Sequence, residues 1–268
     1  MMDFRLFGAL EVEAGGALLT LGGFNQRAVL GCLLINPNRI CTTPQLLHAL
    51  WPDDPPPTAK KMVHNAVSGL RRLLGTCGDG TDMITTRPPG YLLRVDPDWV
   101  DLFRFRDLVG EGRADLSIGE WEPAAHKLRQ ALTMSQEPVL VDLVAEGVNW
   151  PVLVALEQER TDVLEDCIEA ELASGRHRQV LHEVTQIIQA SPTRERVCGQ
   201  AMLALYRSGR QTEALSVYQR TRSCLVRDHG VEPGRELQQL QLSILTHDPS
   251  LEVHTASSAA CLRLATSR

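Results

Sequence analysis

Three observations predict a mainly α chain with small β elements, built as two modules. First, residues 1–95 run as strand-like segments, three helix-length segments and a short hairpin candidate, which is the order of a winged helix-turn-helix. Second, Ser174-Gly175-Arg176 recurs 34 residues later as Ser208-Gly209-Arg210, each time behind an apolar helical stretch. That period, with Gly at the turn and Ala and Leu around it, is the tetratricopeptide signature. Third, residues 1–95 carry nine Lys/Arg against seven Asp/Glu, and the remainder carries eighteen against twenty-six. Such a charge asymmetry suggests two modules with different partners. The expected layout is an N-terminal winged helix-turn-helix over 1–95, an all-α tetratricopeptide-like domain over 96–250 and a loosely ordered tail over 251–268.

The chain of 268 residues is long enough for two domains, and 43% hydrophobic with 22% charged residues is a globular composition rather than a disordered one. No apolar run approaches the roughly 18–20 residues that span a bilayer. The opening "MMDFRLFGAL" has an acid at position 3 and no long apolar core, so it is a poor signal peptide. The expected location is the cytoplasm, at the nucleoid, with no membrane partner. Seven cysteines (Cys32, Cys41, Cys77, Cys167, Cys198, Cys224, Cys261) are scattered without a CxxC pair. They read as reduced thiols, with no metal and no cofactor implied.

Taken in order, "FRLFGALEVE" (Phe4–Glu13) reads as a strand, Gly15-Gly16 as a turn and "LLTLGG" as a returning strand. "NQRAVLGCLLI" is apolar and of helix length. "TTPQLLHALW" has Thr42 and Thr43 as N-cap candidates, Pro44 as the first helical residue and a stop at Pro52. After the rigid "DDPPP", "TAKKMVHNAVSGLRRLLG" (Thr58–Gly75) forms the third helix, and "GTCGDGTD" a loop. "MITTRPPGYLLRV" offers two short strands around a Pro-Pro-Gly turn, the wing.

The third helix carries the chemistry. On a helical wheel with Lys60 at zero, Lys61, His64, Asn65, Ser68, Arg71 and Arg72 fall within about 20–140°, and the apolar residues within about 200–340°. Cations neutralise phosphates and release counterions, while Asn, Ser, His and Arg can read base edges in a major groove. A solvated amphipathic helix is the plainer alternative. Solvated faces, however, normally mix charge signs for i,i+4 pairing, and this segment has four Lys/Arg and no Asp/Glu. Arg87 lies beside the wing tip, where it can enter a narrow minor groove, and Thr85 or Thr86 can bond phosphate. Tyr91 is expected at the wing base. Thr42 and Thr43 sit at a helix N-terminus, which suits phosphate binding as well as capping.

"FRLFGALEV", "LHALWPDDPP", "VSGLRRLLG", "ITTRPPGYLLRVDPDWVDLFRF" and "LYRSGRQTEALSVYQRTRSCLVRDHGVEPGRELQQL" resemble the SARP-type antibiotic regulatory proteins of actinobacteria, over about residues 3–246. The resemblance implies an OmpR-like winged helix followed by a bacterial transcriptional activation domain. It further implies an activator of secondary-metabolite gene clusters that binds direct repeats in double-stranded promoter DNA, with protomers side by side. The partner it implies is RNA polymerase, including its sigma factor. No Walker-type phosphate loop is present, so the chain resembles a small member or the regulatory part of a longer one. The family's helix commonly reads Ser-Arg-Leu-Arg-Arg, whereas here it is Ser68-Gly69-Leu70-Arg71-Arg72. Gly69 is therefore expected to remove a basic contact, with close approach of its backbone to DNA as a compensation.

In the second module Ala204, Leu205, Ala214, Leu215, Val217 and Tyr218 are core candidates, and Glu232 and Arg235 are expected to support a closing turn. Its acidic excess suits a basic patch on a polymerase, and equally suits solubility. The competing function is a tetratricopeptide-type protein-binding adaptor with secondary DNA binding. No nucleophile–base constellation, metal spacing or phosphate loop points to an enzyme.

Overall fold

The computed structural model describes residues 2–75 and 83–252. Most of the "GTCGDGTD" loop, nearly all of the expected tail, Cys77 and Cys261 lie outside the described residues. The chain divides into two compact units, Met1–Gly110 with Gln130–Thr161, and Glu111–Arg129 with Asp162–Arg268. Among the described residues no helix is long and apolar enough to cross a membrane.

The first unit opens with an antiparallel meander, β1 (Met2–Arg5), β2 (Glu11–Ala14) and β3 (Ala17–Leu18). The expected continuous strand over Phe4–Glu13 is thus two strands. The backbone between them finds partners far along the chain. The N–H groups of Leu6 and Phe7 donate to the buried Asp101 carboxylate at 2.9 and 3.0 Å. The N–H of Leu10 donates to Asp142 at 3.0 Å, and Leu6 and Gly8 accept from Leu140 and Val141 at 2.8 and 2.9 Å. A strand composition cannot hold a segment in a sheet when other groups satisfy its peptides. Burial pushes the Asp101 carboxyl up from its ordinary range, and the N–H groups of Phe7, Leu6 and Leu102 pull against that.

Three helices follow: α1 (Phe24–Ile35), α2 (Thr43–Leu50) and α3 (Ala59–Gly75), with α1 packed on both others. Thr42 caps α2 through a reciprocal pair with Gln45, and Thr43, rather than Pro44, is the first helical residue. The wing is larger than the expected hairpin. Strands β5 (Ile84–Arg87) and β6 (Gly90–Leu93) are joined by β4 (Ile40–Thr42), in the order β4–β6–β5. Gly90 is required there: a Cβ would stand 2.0 Å from the Cys41 carbonyl oxygen.

The remaining helices are α4 (Asp101–Ser117), α5 (Trp121–Met134), α6 (Val141–Ala145), α7 (Pro151–Ala173), α8 (Leu181–Ala190), α9 (Glu195–Arg207), α10 (Gln211–His229) and α11 (Arg235–Leu245). In the first unit, α6 and the segment after it close on the winged helix. Arg27 of α1 pairs with Asp142 and Glu146, and the Trp150 indole N–H donates to the Ala49 carbonyl at 2.8 Å.

In the second unit the 34-residue recurrence is a recurrent turn. Gly175 and Gly209 have φ of +79° and +76°, a region open to glycine at little cost. In both turns the following Arg N–H reaches back five residues, Arg176 to Glu171 and Arg210 to Leu205, at 2.8 and 2.9 Å. The Ser hydroxyls both bond the carbonyl four residues earlier at 2.8 Å. This is the Schellman helix stop, written twice. Gly119 (φ +79°) makes a third, with the Glu120 N–H on Asp115 at 3.0 Å. That copy breaks the period because α6 and the first half of α7 intervene. Ala204, Leu205, Ala214, Val217 and Tyr218 are buried in one cluster, and Leu215 packs on it half-buried. Glu232 receives a two-pronged bond from Arg222.

Candidate nucleic-acid interface

Helix α3 separates its residues as the wheel requires. Ala59, Val63, Ala66, Val67, Leu70 and Leu74 are buried, and Lys60, Lys61, His64, Asn65, Ser68 and Arg72 are exposed. Burying each large apolar side chain stabilises by about 1.5–3 kcal/mol, so the helix cannot roll to present another face. No acidic side chain lies on it. Among the described residues, Lys60, Lys61 and Arg72 have no ion-pair partner. The Ser68 hydroxyl donates to the His64 carbonyl at 2.9 Å, which leaves its lone pairs outward.

Arg71 has a different setting. It is half-buried, its Nε donates to the Ile84 carbonyl at 2.8 Å and a terminal nitrogen donates to Thr86 Oγ1 at 2.8 Å. Arg71 and Thr86 therefore meet each other and tie α3 to β5. A second tie joins α2 to the wing turn: the N–H and hydroxyl of Thr43 both donate to the Pro89 carbonyl, at 3.1 and 3.2 Å. The Thr42 hydroxyl is engaged by the cap, at 3.3 Å from the Gln45 N–H. Arg87 closes β5 beside the Pro88-Pro89 turn, exposed and without a partner among the described residues. Tyr91 sits half-buried on the central strand β6, opposite Cys41 and Thr86.

Sequence reasoning missed the first turn of α1. Gly23, Phe24, Asn25 and Gln26 face Met62, Asn65 and Ala66 of α3 across a shallow groove. The helix has no side-chain cap and no acid in its first turn; the Gln26 N–H donates to the Gly23 carbonyl at 2.9 Å, and the N–H groups of Phe24 and Asn25 ahead of it are open to an anion. The signal lay in "GGFNQR", a helix start without Ser, Thr or Asp. Position 69 also turns out to face α1: a Cβ on Gly69 would lie 2.9 Å from Gln26 Nε2. Gly69 therefore adjoins Gln26 and does not look out from the middle of the cationic face.

Comparison with known proteins places this geometry. Residues 23–93 match the family described as transcriptional regulatory protein, C terminal, and residues 100–245 match the bacterial transcriptional activator domain. The chain is 34% identical to the regulatory protein DnrI of Streptomyces peucetius, over 97% of this chain and 99% of DnrI. It is 36% identical to the transcriptional regulatory protein EmbR of Mycobacterium tuberculosis, over 92% of this chain but only 64% of EmbR. The regulatory protein AfsR of Streptomyces coelicolor is 35% identical, with 26% of its length covered. The solved structure of M. tuberculosis EmbR in complex with a low-affinity phosphopeptide superposes with a TM-score of 0.85 at 34% identity, covering 98% of this chain and 71% of that one. With both modules matched in order and a relative aligned over nearly its whole length, the chain belongs to the SARP-type family of transcriptional regulators.

Proposed function

We propose that the chain is a sequence-specific, non-enzymatic transcriptional activator that binds direct repeats in the promoters of a secondary-metabolite gene cluster and recruits RNA polymerase, including its sigma factor. In this reading residues 1–95 bind double-stranded DNA and residues 96–250 meet the polymerase. The observation that carries it is α3, with Lys60, Lys61 and Arg72 unpaired among the described residues, beside exposed His64, Asn65 and Ser68, and with a buried opposite face. The cations neutralise phosphates, and the amide, imidazole and hydroxyl groups read base edges in the major groove. Arg87 on the wing tip enters the adjacent minor groove. Arg71 and Thr86 act chiefly by holding the wing at its angle to α3, and Thr42 and Thr43 by fixing α2 against the wing turn. Protomers seated side by side on repeated sites raise occupancy, since one small module neutralises few phosphates.

The test is a gel shift on promoter fragments of the neighbouring gene cluster at moderate salt. Lys61→Ala combined with Arg72→Ala abolishes the shift and leaves the circular dichroism unchanged. Equal affinity of the double variant and the parent refutes the assignment of this helix.

A further inference from the structure

The first unit contains a cavity of about 770 Å³, walled by α1, β4, α2 and the stretch Glu146–Val152. We propose that it is a binding site for a small, mostly apolar organic acid.

Its size is that of sites for drug-sized molecules, which are apolar clefts with a few placed polar groups. The floor is apolar. Trp150 supplies an indole face, and its N–H is already engaged by the Ala49 carbonyl. Cys32 and Cys41 contribute thiols, and burial pushes both up, so they line the cavity as neutral groups. The rim carries one cation that no acid engages among the described residues. Glu146, the only acid among the described lining residues, shares Arg27 with Asp142 and so leaves negative charge on its own side of the rim. Arg39 is exposed at the rim and makes no ion pair among the described residues. His48 and Asn149 add hydrogen-bonding groups to the lining. An apolar bed with a single free guanidinium fits a ligand with an apolar body and one anionic group. The proposal does not rest on the DNA-binding reading, since the cavity lies behind α2 and binding is measured without DNA.

The experiment uses the full chain and two dyes of similar body, the sulfonate 1-anilinonaphthalene-8-sulfonate and the uncharged N-phenyl-1-naphthylamine. Titrations are followed by dye emission and by energy transfer from tryptophan. Both dyes are expected to bind at one saturable site. Arg39→Gln weakens the sulfonate about tenfold and leaves the neutral dye unchanged. Ala49→Phe, which fills the cavity, removes both, with circular dichroism checking the fold. Because Arg39 is exposed and makes no ion pair among the described residues, its variant keeps the test decisive where the filling variant does not fold. Sulfonate affinity that ignores Arg39→Gln overturns the proposal. So does a loss of DNA affinity in Arg39→Gln with unaltered dye binding, which assigns that cation to phosphate.

Discussion

In the proposed DNA complex Arg71 separates two kinds of contribution to binding, and the separation can be measured. Its two bonds to β5, both 2.8 Å, anchor the wing. Arg71→Met keeps the apolar stem and removes the guanidinium. A hydrogen bond from a charged donor contributes about 1.5 kcal/mol or more, and the buried Ile84 carbonyl then loses its donor, so wing docking weakens by roughly 2–3 kcal/mol. DNA binding must restore the docked wing, and each 1.4 kcal/mol not recovered appears as about tenfold lower affinity. The complex that forms still neutralises the same phosphates. The slope of log affinity against log salt therefore stays the same, and only the intercept falls. Lys61→Ala behaves oppositely: with one phosphate fewer neutralised, the slope becomes shallower by about 0.9. Fluorescence anisotropy from low to moderate salt on one promoter fragment distinguishes the two variants. If Arg71→Met flattens the slope as Lys61→Ala does, Arg71 binds phosphate directly and the positioning argument fails.

The other ties in the fold make further predictions. Trp150→Phe keeps an aromatic ring but removes the pyrrole half of the indole and with it the donor to the Ala49 carbonyl, so urea unfolding of the full chain shows a loss of at least about 1–2 kcal/mol; an unmoved midpoint means that bond contributes nothing. Gly90→Ala forces a Cβ to 2.0 Å from the Cys41 oxygen, so β4 and β6 separate and amide exchange accelerates at Cys41 and Thr43, whereas retained protection would contradict the close approach. Gly209→Ala meets no atom within 4 Å but must hold φ +76°, which costs about 1–2 kcal/mol in thermal melts, with Asn milder than Ala. A fragment of residues 1–95 lacks the Asp101 carboxylate and the Asp142, Glu146 and Trp150 partners, so it melts below the full chain and its DNA affinity falls accordingly; equal stability would show those ties to be idle.

The sequence made some of this legible because its punctuation is strong. Pro44, the run from Asp53 to Pro57 and the Pro88-Pro89-Gly90 turn mark out α2, α3 and the wing. The wheel of α3 also separated its exposed from its buried residues, with Met62, Arg71 and Leu73 half-buried between them. What escaped was everything decided by remote partners. β4 is only three residues, "ICT", too short for a period, and it forms because β6 offers a free edge. The first strand breaks because its peptides bond residues 94 to 134 positions away. Helix α6 has five residues and no pattern of its own. A hint of it existed in α1: Gly31 leaves room for the side chains of Leu140 and Leu143, which would lie 3.1 and 3.4 Å from a Cβ there. Arg71 was placed on the correct arc, but a wheel gives direction and not reach. A half-buried arginine beside a strand can commit its donors before any phosphate arrives.

The same distinction recasts Gly69. On the wheel it lies at the border of the polar arc, and the sequence predicts a missing basic group there. In space its open side is occupied by the Gln26 amide, the flexible end of a side chain from the first turn of α1. A larger residue at 69 would need only that amide to swing away, so the position is not closed by backbone. The glycine costs α3 about 1 kcal/mol of helix propensity relative to alanine, and in exchange an amide group can rest against the helix beside Asn65. The groove from Gly23 to Gln26 thus supplies a neutral hydrogen-bonding surface at the place where an arginine would put a charge. In the proposed complex, an amide in place of a guanidinium is expected to lower charge-driven affinity and to leave base discrimination to geometry. The consequence to be expected of Gly69 is therefore a change in how the first turn of α1 and α3 share the groove, rather than a gap in the cationic face.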